Sequence, residues 1–462
     1  MIGAALVLLT QLALSPCTIE GVEGPTRCGT YRVWENRTTK KGRQIELSII
    51  VLSALSPTRN PDPLFMLAGG PGDAPSFNAK FFGETFAMVR LTRDLVLVDL
   101  RGTGKSASLL CPELATPNKE GVLDDEILGV QAVADCRMRL EKNADLRQYT
   151  TEIAVDDLDE VREALGYKQI NLYGTSYGSR VAQVYMRRHP QSLHTVSMKG
   201  IVPPSMASPS THALSGERAW QSLVERCKQD AQCAQAYPDI DEKFRALLNR
   251  LSSGPVLNPW GDSLKLKVSA GLFAEIFRFF LYSPDAQARA LKLINELSQD
   301  KPGLFENSLA GRRQLSNERL AAGFFLSVSC TEDIPYLPKD IKPLVENTFG
   351  GDYRIKQQTQ ACSVWPKGEV SRQHRLATKS DIPTLILSGE FDPVTGPEGG
   401  AEVVKGLSHG LHVVIRNNGH PIGNASECIG SMIAAFIEKG DVKGLDTSCA
   451  ATIPAVPLVP AK

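Results

Sequence analysis

Residues 170–179, Ile170-Asn171-Leu172-Tyr173-Gly174-Thr175-Ser176-Tyr177-Gly178-Ser179, pass from a short apolar run into Gly-x-Ser-x-Gly. A helical pattern follows, from Arg180 to His189 ahead of Pro190. Strand, tight turn and helix in that order are the setting of a nucleophile elbow. Such a turn holds its serine in a sparsely allowed backbone conformation, and glycines two residues to either side remove the side chains that would collide. Ser176 is therefore the candidate nucleophile, its hydroxyl at the top of a sheet above a helix N-terminus. A glycine-rich turn with a serine in it would look the same. The rest of the chain has to decide.

Working outward, Ala154, Leu158, Val161 and Leu165 fall at helical spacing, and Gly166 closes that helix. Leu64-Phe65-Met66-Leu67 and Leu95-Val96-Leu97-Val98 are apolar at every position, as strands buried on both faces are. The first stops at Gly69-Gly70-Pro71-Gly72 and the second at Asp99. Val196 to Met198 reads as one more strand, and Tyr31–Trp34 with Ile45–Leu52 as a leading hairpin. Strands alternating with helices define an α/β protein.

After Pro203-Pro204 the pattern becomes amphipathic helix, with no convincing strand to about residue 370. Phe273, Phe277, Phe279, Phe280 and Tyr282 in this stretch suit either a substrate pocket or a core at helical spacing. The α/β texture returns at Thr384-Leu385-Ile386-Leu387 and Leu411–Ile415, and a closing helix runs from about Ser426 to Glu438. The expected layout is a signal peptide over 1–15, an α/β core over 16–204, a helical insertion over 205–371, the rest of the core over 372–449 and a disordered Pro- and Ala-rich tail over 450–462.

Lys+Arg and Asp+Glu balance at 51 each, with no basic stripe or acidic block, which argues against nucleic acid or an anionic membrane surface as a partner. The apolar stretch Ile2–Leu14 is too short to span a bilayer and reads as a signal-peptide core, although no lysine or arginine precedes it. Leu14-Ser15-Pro16-Cys17 is only loosely a lipobox. The 10 cysteines form five sequence-local couples, 17–28, 111–136, 227–233, 330–362 and 428–449, without a Cys-x-x-Cys pair to hold zinc. Five disulfides in a secreted or periplasmic protein are expected.

Gly102-Thr103-Gly104-Lys105-Ser106 imitates a phosphate loop, but Asp99 stands where that motif needs its first glycine. Cys111-Pro112 also cuts short the helix that a dinucleotide fingerprint would require. A serine nucleophile needs a base, and the base an orienting acid, in the order Ser, Asp or Glu, His, on loops that follow strands. Asp392 in Ser388-Gly389-Glu390-Phe391-Asp392-Pro393 is the candidate acid, ahead of Glu390. His420 in Asn417-Asn418-Gly419-His420-Pro421 follows the next strand and is the candidate base, whereas His409 precedes that strand and His412 lies within it. The Tyr177 amide and the Gly69-Gly70 backbone are the candidate oxyanion donors.

Gly69-Gly70-Pro71-Gly72, Asp99-x-Arg101-Gly102-x-Gly104-x-Ser106, the Ser176 elbow, Asp392-Pro393-Val394-Thr395 and Gly419-His420 together resemble the α/β-hydrolase peptidases of the prolyl-aminopeptidase and tripeptidyl-aminopeptidase family. The resemblance extends from about Cys17 to Cys449, and the secreted branch with its cysteine pairs is the nearest likeness. It implies an exopeptidase that uses no cofactor or metal, takes peptides with a free N-terminus and closes its site with a helical cap. It also implies a cap carboxylate for the substrate's ammonium group, for which Glu332 is the candidate and Asp333 the second, in Cys330-Thr331-Glu332-Asp333. Ala68, Gly396 and Pro421 depart from the family pattern and bear on substrate preference. A carboxylesterase on the same fold and a non-catalytic binding protein are the alternatives.

Overall fold

The computed structural model describes residues 12–117, 120–257, 259–260 and 265–459. Most of the expected leader, residues 1–11, lies outside them. The strands are β1 (Ser15–Pro16), β2 (Thr26–Trp34), β3 (Gln44–Leu52), β4 (Leu64–Leu67), β5 (Leu95–Val98), β6 (Ile170–Thr175), β7 (Leu193–Lys199), β8 (Val256–Leu257), β9 (Lys267–Val268), β10 (Thr384–Gly389) and β11 (Gly410–Ile415). Nine of them form one sheet in the order β1-β2-β3-β5-β4-β6-β7-β10-β11. From β5 to β11 every pairing is parallel, and the antiparallel β2–β3 hairpin is joined to β5 at one edge. The chain has the α/β-hydrolase fold.

The strands β4, β5 and β10 are buried at every position, because helices cover both faces. On one face the helices Thr151–Ala164 and Tyr177–Arg188 pack Val155, Leu158, Val181 and Val184 against Phe65, Val96 and Leu172. The helix Ser426–Lys439 sets Ile429, Ile433 and Phe436 against Met66, Leu97 and Leu387 on the other. Nucleophile, acid and base candidates all lie beyond the C-terminal ends of β6, β10 and β11. That is where ligands bind in a parallel sheet of this kind.

The helices between β7 and β10 build a separate apolar cluster around Trp220, Phe244, Phe273 and Phe277. The aromatic run therefore divides: Phe273, Phe277 and Phe280 belong to this cluster, while Phe279 and Tyr282 face the cavity described below. Two expectations need correction. The region holds a small antiparallel ladder, β8 with β9, whose two-residue strands are too short to show an alternating pattern. The expected disordered tail is ordered over residues 450–459, because its apolar residues find partners. Ala450 and Ile453 join the cluster beneath the sheet, and Leu458 joins that of the inserted helices.

All five cysteine couples are bonded, 17–28, 111–136, 227–233, 330–362 and 428–449. Such usage fits an oxidising compartment. Among the described residues no helix is long and apolar enough to cross a membrane. The phosphate-loop mimic has structural work instead. Asp99 is fully buried and accepts from the Ser76 and Lys105 amides and the Ser76 hydroxyl, and Arg101 is buried in a bidentate pair with Asp157.

Candidate active site

β6 ends at Thr175 and the next helix begins at Tyr177, which leaves Ser176 alone at the corner. Its φ of 56° and ψ of −122° are conformations a side-chain-bearing residue rarely adopts. Close packing on both sides imposes them. A Cβ on Gly174 would overlap the Gly178 carbonyl, and one on Gly178 would overlap the Leu67 carbonyl at the end of β4. The Ser176 amide donates to the Lys199 carbonyl at 2.9 Å, tying the corner to β7.

The loop after β4 runs past this corner. A Cβ on Gly69 would lie 3.2 Å from the Ser176 Cβ, so glycine is what allows the two backbones to approach. Gly70 has a φ of 107°, again open only to glycine at low cost. Tyr177 is the first residue of its helix, so its amide has no intrahelical acceptor. Gly69, Gly70, Ser176, Tyr177 and His420 line one cavity.

The His420 Nδ1 lies 2.8 Å from the Asp392 Oδ2, which leaves Nε2 as the nitrogen available for proton transfer. Asp392 is fully buried and accepts from the Val394 and Thr395 amides, both at 2.8 Å, and from the Thr395 hydroxyl at 3.0 Å. Burial alone would raise its pKa. The His420 ring, the buried Lys199 ammonium and these donors outweigh that and hold the carboxyl below its ordinary range. Thr395 Oγ1 also stands 3.2 Å from His420 Nδ1, so it can keep the ring's tilt. Glu390 instead accepts from the Asn417 amide, and His412 bonds to Ser388 within the sheet.

The cavity has a volume of about 540 Å³ and is enclosed in part by the inserted helices. Leu128, Leu266, Leu272, Ile276, Phe279 and Phe325 make it mainly apolar. Asp73, Asp124, Glu126, Asp333, Arg180, Arg278, Arg354 and His212 are among its polar points. A Cys111–Glu113–Cys136 cluster has ligand-like spacing, but both sulfurs are committed to a disulfide.

The two acids expected to meet a substrate ammonium part ways. Glu332 does not line the cavity: it is fully buried and accepts from the Thr151 amide and hydroxyl, both at 2.6 Å. Thr151 in turn bonds the Tyr177 hydroxyl at 2.8 Å, so Glu332 braces the residue after Ser176. Burial pushes Glu332 up to about 7 in spite of Arg180 and the Thr151 bonds. Asp333 does reach the cavity wall, held by Arg180 at 2.8 Å and the Ser208 amide at 3.0 Å. The sequence reading missed Asp73. This half-buried residue directly follows the glycine loop, and its carboxylate accepts from the Ala74 amide and the Asn78 side chain. Burial raises its pKa. The signal was there in Gly72-Asp73, an acid one step from the candidate oxyanion loop.

Residues 347–449 match the model of the family described as TAP-like protein. Serine protease Hip1 of Mycobacterium tuberculosis is 22% identical over 426 residues, covering 82% of this chain and 79% of that protein. Tripeptidyl aminopeptidase of Streptomyces lividans is 22% identical over 467 residues, covering 92% and 84%. A solved proline iminopeptidase from Mycobacterium smegmatis superposes with a TM-score of 0.42 at 16% identity, over 90% of this chain and 99% of that one. Elbow, hydrogen-bonded Asp-His couple and the likeness to the two curated peptidases converge: the chain is a serine hydrolase of the α/β-hydrolase fold, and its residues 347–449 match the TAP-like family model.

Proposed function

We propose that the chain is an exported serine exopeptidase that cleaves peptide bonds near a free N-terminus through an acyl-enzyme. The observation that carries this reading is the Asp392–His420 hydrogen bond at the mouth of a cavity that also exposes Ser176. In the reaction, His420 Nε2 takes the Ser176 hydroxyl proton as Oγ bonds to the substrate carbonyl carbon. The oxyanion meets the Tyr177 and Gly70 amides. Collapse breaks the C–N bond, His420 returns the proton to the leaving amine, and water then attacks the acyl-enzyme with His420 again as base.

The relatives named as a serine protease and a tripeptidyl aminopeptidase support peptide over ester substrates. The partly enclosed, largely apolar cavity supports a short acyl segment rather than a long chain passing through. The ammonium of that segment needs an anion. Glu332 is turned away and Asp333 already faces Arg180; of the other cavity carboxylates, Asp73, Asp124 and Glu126, Asp73 directly follows the glycine loop that packs on Ser176 and is the one best suited to receive it. The five disulfides support export.

The test compares kcat/KM for aminoacyl, prolyl and tripeptidyl chromogenic substrates, each with a free and an acetylated amine, and for short acyl esters. Free-amine peptides should be cut far faster than blocked ones, and Ser176→Ala should abolish both cleavage and fluorophosphonate labelling. Equal rates on blocked peptides would end the exopeptidase reading.

A further inference from the structure

We infer that Lys199 is a positioning residue of the active site, a buried cation that fixes the histidine loop and faces the triad acid. This rests on the reading of His420 as the base. Lys199 is the last residue of β7, between the strand that delivers the serine and the strand that delivers the acid. It is in register with Thr175 of β6 on one side and Leu387 of β10 on the other. Its side chain is fully buried. The ammonium donates to the carbonyls of Gly419 and His420, both at 2.9 Å. Its own carbonyl accepts from the Ser176 amide at 2.9 Å. One residue thus holds the corner of the nucleophile through its main chain and the loop of the base through its side chain.

The third member is reached through space. Asp392, on the loop after β10, is the anion that attracts the Lys199 ammonium, and Lys199 in turn helps to keep Asp392 ionised. His420, on the loop after β11, meets the ammonium through its main-chain carbonyl, and the paired neighbours Thr175 and Leu387 carry no charge. The next residue, Gly200, has a φ of 64°. A Cβ there would lie 2.9 Å from Thr395 Oγ1, 3.4 Å from His420 Cε1 and 3.5 Å from Asp392 Oδ2, so β7 ends against the couple itself.

A buried ammonium is expensive, and a methionine would fill the same space without a charge. What the charge adds is a pair of ion–dipole bonds to the loop carbonyls and a positive field at Asp392. Burial draws Lys199 down to about 8 despite Asp392. A neutral amine could still donate two bonds, but weaker ones, and the field at Asp392 would be gone.

The experiment is kcat and KM between pH 6 and 10 for the wild type, Lys199→Arg and Lys199→Met, with low-field proton NMR of the wild type over the same range. Wild-type kcat should decline above pH ~8 with KM little changed, whereas Lys199→Arg, which keeps its charge, should extend the plateau upward. Lys199→Met should lose at least ~10-fold in kcat at pH 7 and show no alkaline limb. The resonance of the His420 Nδ1 proton should shift with a midpoint near pH ~8, a reading that needs no variant to fold. A Lys199→Met enzyme with the wild-type profile, an unmoved limb in Lys199→Arg, or a proton resonance constant through that range would each overturn the inference. Full activity in His420→Ala would instead sink the proposed function, whatever Lys199 does.

Discussion

The main-chain amide of His420 donates to the carbonyl of Tyr282 at 2.7 Å, so the loop carrying the candidate base hangs from the inserted helices as well as from β11. The Tyr282 ring meets the imidazole edge-on, with centroids 5.2 Å apart. Its hydroxyl accepts from Arg278, whose partner Glu275 also binds Arg354, and both arginines line the cavity. Cavity wall and His420 are thus joined by one contiguous set of contacts.

Gly419 is the tightest point of that junction. A Cβ there would overlap the Tyr282 carbonyl, which is main chain and cannot rotate away. Gly419→Ala should therefore displace His420 and lower kcat about 100-fold, the usual cost of a misplacement near 1 Å. Steady-state kinetics beside a thermal melt checks it; an unchanged kcat in a folded variant would refute it.

Asp392→Asn should leave the site's geometry in place while reversing the tautomer that Nδ1 requires. A fall in kcat of about 10⁴-fold with KM within a small factor is expected. A loss seen mainly in KM would assign Asp392 to substrate binding.

Glu332 makes stability depend on pH. Its folded value, about 7, lies above the ordinary 4.5, because burial disfavours the charge. Its contribution is complete below pH 4.5 and is lost as pH rises through 7. Denaturant titrations should show the wild type losing on the order of 3 kcal/mol relative to Glu332→Gln across that interval. Parallel pH curves for the two proteins would contradict the assignment.

Asp73→Asn should raise KM for free-amine peptides at least ~10-fold and leave acetylated peptides unaffected, since a lost charge-assisted bond costs about 1.5–3 kcal/mol. Equal effects on both substrates would make Asp73 a part of the loop's architecture only.

The disulfides differ in loop size. Cys330–Cys362 closes a separation of 32 residues and Cys227–Cys233 one of 6, so removing the longer should cost about 1.5 kcal/mol more on chain entropy alone. Equilibrium unfolding of the two double-serine variants measures the difference.

The sheet and the three triad candidates were legible because each rests on local pattern and chain order. The Ser176 elbow is a contiguous motif, and Asp392 and His420 each follow a mainly apolar strand. Glu332 was misdirected by its neighbour. Adjacent acids in sequence look interchangeable, yet the π-helical turn Ser329–Asp333 sends one toward Thr151 and the other toward Arg180 and the cavity. Lys199 left no trace in the pattern. A lysine closing a strand reads as a solvated end, and only the approach of residues 419 and 420, far along the chain, buries it.

The segment after Cys449 has a mechanical meaning. Ile453 is seated beneath the sheet and Leu458 among the inserted helices, with four residues between them. Five peptide units reach at most roughly 17 Å when fully drawn out. That length is a leash: the helices over the active site can travel from the sheet only as far as it pays out before one of the two anchors has to leave its socket.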